Sequence, residues 1–157
     1  MKIAVDSDAL IKLTKAGLKD LIVNNLEVII PEKVYDETVK IPKTKGFPDA
    51  LEIDKNVNAG KISVKETSRE EKGEFEVVNL YKSGDFKAVV SDDRKFLKKL
   101  DKIGIPYLTP SSLILYLFYK RILSREDALA QIKKLRKYIS DEEYFTSIME
   151  VKKWGRS

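Results

Sequence analysis

The chain has 157 residues, 43% of them apolar, with 30 Lys and Arg against 25 Asp and Glu and a formal net charge of +5. That length can bury one sizeable core and is short for two typical domains, so residues 1–157 are expected to form a single domain. With no Cys and no His, a thiolate nucleophile, a thiolate zinc site, an imidazole base and a Ser-His-Asp triad are all excluded.

Any hydrolytic chemistry therefore falls to carboxylates, hard oxygen ligands that suit Mg²⁺ or Mn²⁺ better than zinc or copper. No apolar run approaches the length needed to span a bilayer, and the N-terminus has no signal-peptide pattern. A soluble, cytoplasmic chain without membrane association is expected. The basic excess sits mainly beyond residue 110, which suits a phosphate-bearing partner and equally a Lys/Glu-rich solvated surface.

Five short β-branched or apolar runs recur in chain order, at residues 2–6, 26–30, 61–65, 87–91 and 105–108, with helical patterns between them. This alternation predicts a three-layer α/β fold with a central parallel sheet of about five strands, in the order 3-2-1-4-5 common to such sheets. The first helix should begin near Asp8 and turn Leu10, Leu13 and Thr14 inward. After a break at Gly17 it resumes through Leu18, Leu21 and Ile22 and ends at Asn24-Asn25.

Pro31 is expected at the first position of a short helix running to about Val39. Lys40 to Pro48 reads as a basic loop, followed by a helix over about 49–58 and a turn at Ala59-Gly60. Ser68 and Glu71 form a capping-box pattern for a helix from Arg69 to Lys82. A helix after Asp93 should bury Phe96, Leu97 and Leu100 before Gly104 closes it. Ser111 or Ser112 is expected to cap an apolar helix, Leu113 to Ile122, which reads as core rather than dimer surface. Helices over about 125–138 and 141–153 complete a C-terminal helical segment, residues about 111–157.

The first and fourth runs each end in a pair of acids: Val5 leads into Asp6-Ser7-Asp8, and Val90-Ser91 into Asp92-Asp93. In open parallel sheets, ligands bind beyond the carboxyl ends of strands, near the point where strand order reverses. Asp and Ser between a strand and a helix are also preferred N-caps. Asp8 and Asp93 are assigned as caps or outer groups, which leaves Asp6 and Asp92 at the strand ends.

Two further acids share stripes with apolar residues. Glu74 lies three, four and seven positions before Val77, Val78 and Tyr81, and Glu37 lies between Val34 and Ile41. A carboxylate on an inward stripe needs a cation or a donor. Glu76 faces Asn79 and Leu80 and is the weaker candidate. Four acids gathered at neighbouring strand ends would repel one another unless a divalent ion neutralised them, the setting for metal-assisted phosphoryl chemistry.

Four segments, VDSDALIKL, IIPEKVYDETV, KGEFEVV and AVVSDDRKFLKKL, appear in an order and spacing that resemble the PIN-domain nucleases, and within them the prokaryotic branch that includes and borders the VapC-type toxins. The resemblance implies that Asp6, Glu37, Glu74 and Asp92 are the catalytic acids and bind Mg²⁺ or Mn²⁺, with Asp93 supplementing the metal site. Many relatives carry Asp where Glu74 stands. The implied activity is metal-dependent endoribonuclease cleavage of RNA phosphodiester bonds, as the toxin of a toxin–antitoxin pair or as a free-standing enzyme.

Ser7, Ser91, Lys12, Arg94, Lys43 and Lys45 are weaker candidates for substrate contact, with Lys15 and Lys40 beside them. The implied partners are RNA, an antitoxin protein and a second copy of the chain. Two alternatives carry different tests. A haloacid-dehalogenase-like phosphatase would use Asp6 as nucleophile and Asp8 as acid but leaves Glu37 and Glu74 without a role. A PIN-like module that binds RNA or protein would retain the fold without activity.

Overall fold

A computed structural model describes residues 1–67 and 73–154, and of residues 73 and 74 the backbone alone. Five strands form one parallel sheet: β1 (Lys2–Val5), β2 (Glu27–Pro31), β3 (Ile62–Lys65), β4 (Ala88–Val90) and β5 (Tyr107–Leu108). Their order is β3-β2-β1-β4-β5, as the alternation of runs predicts. The chain winds outward from β1 in one direction, then returns to the other side of β1 with β4. The reversal of order therefore falls between β1 and β4, where Ile3 pairs with Ala88 and Val5 with Val90.

Consecutive strand residues point to opposite faces of a sheet. Ile3, Ala4 and Val5 are all buried, as are Val28, Ile29, Ile30, Val89 and Val90, so both faces of the central strands are covered. That explains why these strands read as unbroken apolar runs rather than as alternating ones.

The helices are α1 (Ser7–Lys15), α2 (Lys19–Asn25), α3 (Glu32–Tyr35), α4 (Ile41–Thr44), α5 (Pro48–Asn58), α6 (Gly73–Lys82), α7 (Arg94–Lys102), α8 (Pro110–Tyr119), α9 (Arg125–Lys134) and α10 (Asp141–Trp154). Gly17, at φ +73°, makes the break between α1 and α2, a conformation that glycine adopts without the steric cost of a Cβ. The α8 residues Leu113, Ile114 and Leu117 are fully buried, and α9 and α10 pack against this helix. It is a core element, as expected.

Several local expectations are corrected. Pro31 closes β2 and precedes the helix instead of opening it. The expected basic loop is partly helical, because α3 runs through a π-helical turn, Asp36–Lys40, into α4 before the chain loosens at Lys45. The α8 cap is Thr109, whose hydroxyl accepts from Ser112 N at 3.3 Å. Pro110, lacking an N–H, takes the first helical position. The same helix stops at Tyr119, short of Ile122, and Arg121 adopts φ +61° just beyond it. The Ser68 and Glu71 capping box and the start of its helix at Arg69 lie outside the described residues.

Candidate active site

The two acid pairs meet at the carboxyl ends of β1 and β4. Asp6 N donates to Val90 O at 3.0 Å, extending the ladder by one residue and placing Asp6 beside the start of Ser91-Asp92. Asp6 Oδ1 then accepts from Ala9 N at 2.9 Å. Asp6, rather than Asp8, is therefore the N-cap of α1, which corrects the division expected from sequence. The first turn of a helix leaves several N–H groups without intrahelical partners, and the strand end delivers the Asp6 carboxylate to one of them.

Ser91, fully buried, ties the pairs together. Its hydroxyl bonds to the Asp6 carboxyl and accepts from Asp93 N at 3.1 Å. Asp93 is the cap of α7, accepting from Lys95 N at 3.0 Å and Phe96 N at 3.2 Å. That cap role matches the sequence expectation.

Asp6 is only 8% exposed. Burial pushes its carboxyl up to about 7, opposed by the bonds from Ser91 and Ala9 N and reinforced by the nearby Asp8 and Asp93. Asp92 Oδ2 accepts from Lys12 Nζ at 2.6 Å, and the same ammonium stands 3.2 Å from Asp8 Oδ2. Burial alone would push Lys12 down, but Asp92 and Asp8 hold it above the ordinary lysine value. A cation is thus already held between two of the clustered acids. Asp8 serves the site through this contact, one helical turn before Lys12.

Glu37 sits in the π-helical turn, a distortion that often marks functional positions because it re-aims a side chain within a helix. Its Oε2 accepts from Ser7 Oγ at 2.7 Å, linking the α3 segment to the start of α1. The turn is fixed to α5 by Asp54, which accepts from Tyr35 Oη at 2.9 Å and Lys43 Nζ at 2.8 Å. Lys43, a candidate for substrate contact, is therefore engaged in holding this turn, while Lys45 is exposed and Lys40 pairs with Asp36 at 3.4 Å.

The backbone of Glu74 lies in the first turn of α6, and its side chain is outside the described residues. Glu76, the weaker candidate on sequence, is 2% exposed and accepts from Lys33 N at 3.3 Å. It shares the buried face with Val77 and Leu80, and lines a small cavity of about 280 Å³ with Glu32, Asp36 and Thr67. Of the two residues it was expected to face, Leu80 is buried with it and Asn79 is exposed.

The sequence gives no warning of Glu143. This α10 residue reaches the Asp92 carboxyl, and its Oε2 accepts from Ser111 N at 3.3 Å. Burial pushes Glu143 up to about 8, reinforced by Asp92, against the bonds from Ser111. In sequence, Ser140 and Glu143 form the serine and glutamate of an S-x-x-E capping box. Half of that box is present, since Glu143 N donates to Ser140 Oγ at 3.1 Å. The glutamate side chain turns to the strand ends instead. A cavity of about 760 Å³ opens beside it, with Lys12, Asp92, Arg94, Tyr107, Tyr138 and Ser112 in its walls.

The donors gathered here are all oxygens, and the buried Asp6 and the Lys12-bridged Asp8 and Asp92 show a site that takes positive charge. That chemistry fits a hard divalent cation. Among the described residues, no group of three or more acids stands close enough to hold an ion as arranged.

A family model described as a PIN domain matches residues 2–153. A comparison with curated proteins gave no match.

Proposed function

The chain belongs to the PIN-domain family, a family of nucleases, and from that premise we propose that it is a Mg²⁺- or Mn²⁺-dependent endoribonuclease that hydrolyses RNA phosphodiester bonds. The observation that carries this reading is the convergence of Asp6 and Asp92 at neighbouring ends of β1 and β4, with Asp6 buried and its carboxyl pushed up to about 7 by that burial. In this reading Asp6, Glu37, Glu74 and Asp92, supplemented by Asp93, hold the metal. A divalent ion so held lowers the pKa of a water and stabilises charge on the scissile phosphate and the leaving oxygen.

The chain's own residues supply order around it. Ser91 holds the Asp6 carboxyl and the Asp93 backbone together, so the two strand ends keep a fixed relation. Ser7 orients Glu37 across from another element. Lys12 and Arg94 line the large cavity beside Asp92 and carry the positive charge that an RNA backbone requires. Lys12 does so while pairing with Asp92 and Asp8, so a phosphate arriving at this ammonium meets a group already positioned.

The motifs shared with the VapC-type branch support a further step, that the chain is the toxin of a toxin–antitoxin pair acting in the cytoplasm. Its partners are then RNA, an antitoxin protein over the acid site, and a second copy of the chain. A small co-transcribed DNA-binding protein would support this step. Among the described residues, no helix is long and apolar enough to cross a membrane.

End-labelled RNA incubated with the protein should shorten in Mn²⁺ or Mg²⁺ and stay intact when a chelator is added. RNA retained on the protein but never cut would favour a binding module. Hydrolysis of a phosphomonoester with RNA untouched would favour the phosphatase.

A further inference from the structure

The cavity of about 760 Å³ beside Asp92 has walls of two chemical kinds. One part carries cations, Lys12 on α1 and Arg94 at the start of α7. Arg94 has Glu142 at 3.6 Å, but both side chains are largely exposed. Such a pair contributes little, so the guanidinium can take another anion. A second part of the wall is uncharged: Leu97, Tyr107, Leu115 and Tyr138 line it, with the Ser112 hydroxyl among them.

Tyr107 lies on β5, the edge strand, and is 38% exposed. Its backbone is held on both sides, since Pro106 O accepts from Val89 N at 3.0 Å and Leu108 O accepts from Ser91 N at 3.1 Å. These bonds fix the ring relative to the strand that leads into Asp92. Tyr138, between α9 and α10, supplies a second ring to the same cavity, with its hydroxyl 3.5 Å from Lys15 O on α1.

An aromatic face beside a cationic group is the combination that holds an unpaired nucleotide, the base on the ring and the phosphate on the cation. Bases inside a duplex are stacked on both faces and cannot use it. We infer that Tyr107 stacks an unpaired base in this cavity, so that the adjoining phosphate lies at Lys12, next to Asp92. This inference rests on the ribonuclease reading above and adds to it the side of the site on which the RNA lies.

The test is fluorescence anisotropy of a labelled single-stranded RNA of about ten nucleotides, in a chelator so that it stays whole, against the same strand annealed to its complement. Tyr107→Leu keeps an apolar side chain on the strand while removing the ring. It should weaken single-strand binding by about tenfold or more and leave duplex binding unchanged, and Tyr107→Phe, which keeps a ring, should restore most of the loss. Tyr119→Leu removes an exposed ring outside the cavity walls and should bind as the wild type does.

In Mn²⁺, Tyr107→Leu should raise KM for the single strand by a similar factor and change kcat less. If that variant does not melt as a folded protein, Tyr138→Leu should weaken single-strand binding in the same way. Unchanged affinity and KM in the folded Leu variant, or strand and duplex weakened alike, would overturn the inference while leaving the nuclease reading intact. RNA neither bound nor cut by the wild type would overturn both.

Discussion

Asp6 is required to do two things with one carboxylate. Its Oδ1 caps α1, a structural duty that stabilises a helix by about 1 kcal/mol, and its ionised form is disfavoured by burial and by Asp8 and Asp93. Since the folded chain holds this proton up to about 7 and an unfolded Asp releases it near 3.8, the native state binds more protons between those values. Stability of the metal-free protein should therefore fall as pH rises through that window, by up to about 4 kcal/mol from this group. Denaturant melts at pH 5 and pH 8 check this. Asp6→Asn should reduce the difference, since an amide does not titrate there, while Glu143, held up to about 8, keeps part of it; an unchanged slope in that variant would place the pH dependence elsewhere. The expectation that Asp6 is free for the site and Asp8 caps the helix failed on a point of geometry. One more backbone bond, Asp6 N to Val90 O, carries β1's pairing to the helix start and puts Asp6 in the capping position.

At the scale of elements, the site is made where strands hand over to helices, and those junctions can be weakened separately. Asp93 caps α7 through two backbone N–H groups, so Asp93→Ala should cost about 1 kcal/mol in a denaturant titration. If Asp93 is a supplementary rather than a principal metal residue, cleavage should fall much less than with Asp92→Asn. Equal loss in the two variants would make Asp93 a principal ligand. The elements that sequence reading recovered best are those with one dominant cause. Buried runs such as Ile3-Ala4-Val5 have little alternative but a covered strand, and Gly17 and Gly104 mark breaks that their positive φ requires. Elements with two competing causes are less legible. Lys40 to Pro48 has loop composition, yet Tyr35 and Lys43 on Asp54 hold the chain helical through a π turn into Thr44. Glu76 reads as a weaker candidate because its spacing pairs it with the polar Asn79 as well as with Leu80, and the long-range donor Lys33 N is invisible to periodicity.

Across the whole molecule, the sheet order brings residues 6, 37 and 92 to one end of the sheet, and this much was legible because acids at strand ends gain meaning only from order. What was not legible was the approach of residue 143, fifty positions after Asp93, because no local pattern encodes how α9 and α10 pack on α8, which itself lies against β5. The fold thus brings residues from both ends of the chain to Asp92, with Lys12 near the start and Glu143 near the finish. Asp6, Glu37, Glu74 and Asp92 are proposed to perform metal-dependent cleavage of RNA. The rate of cleavage of a labelled RNA in Mn²⁺ by the wild type, Asp6→Asn and Asp92→Asn, each shown to be folded by its melting curve, tests this. The wild type should cleave, and both variants should be slower by about two orders of magnitude or more. Cleavage at the wild-type rate by both folded variants would contradict it.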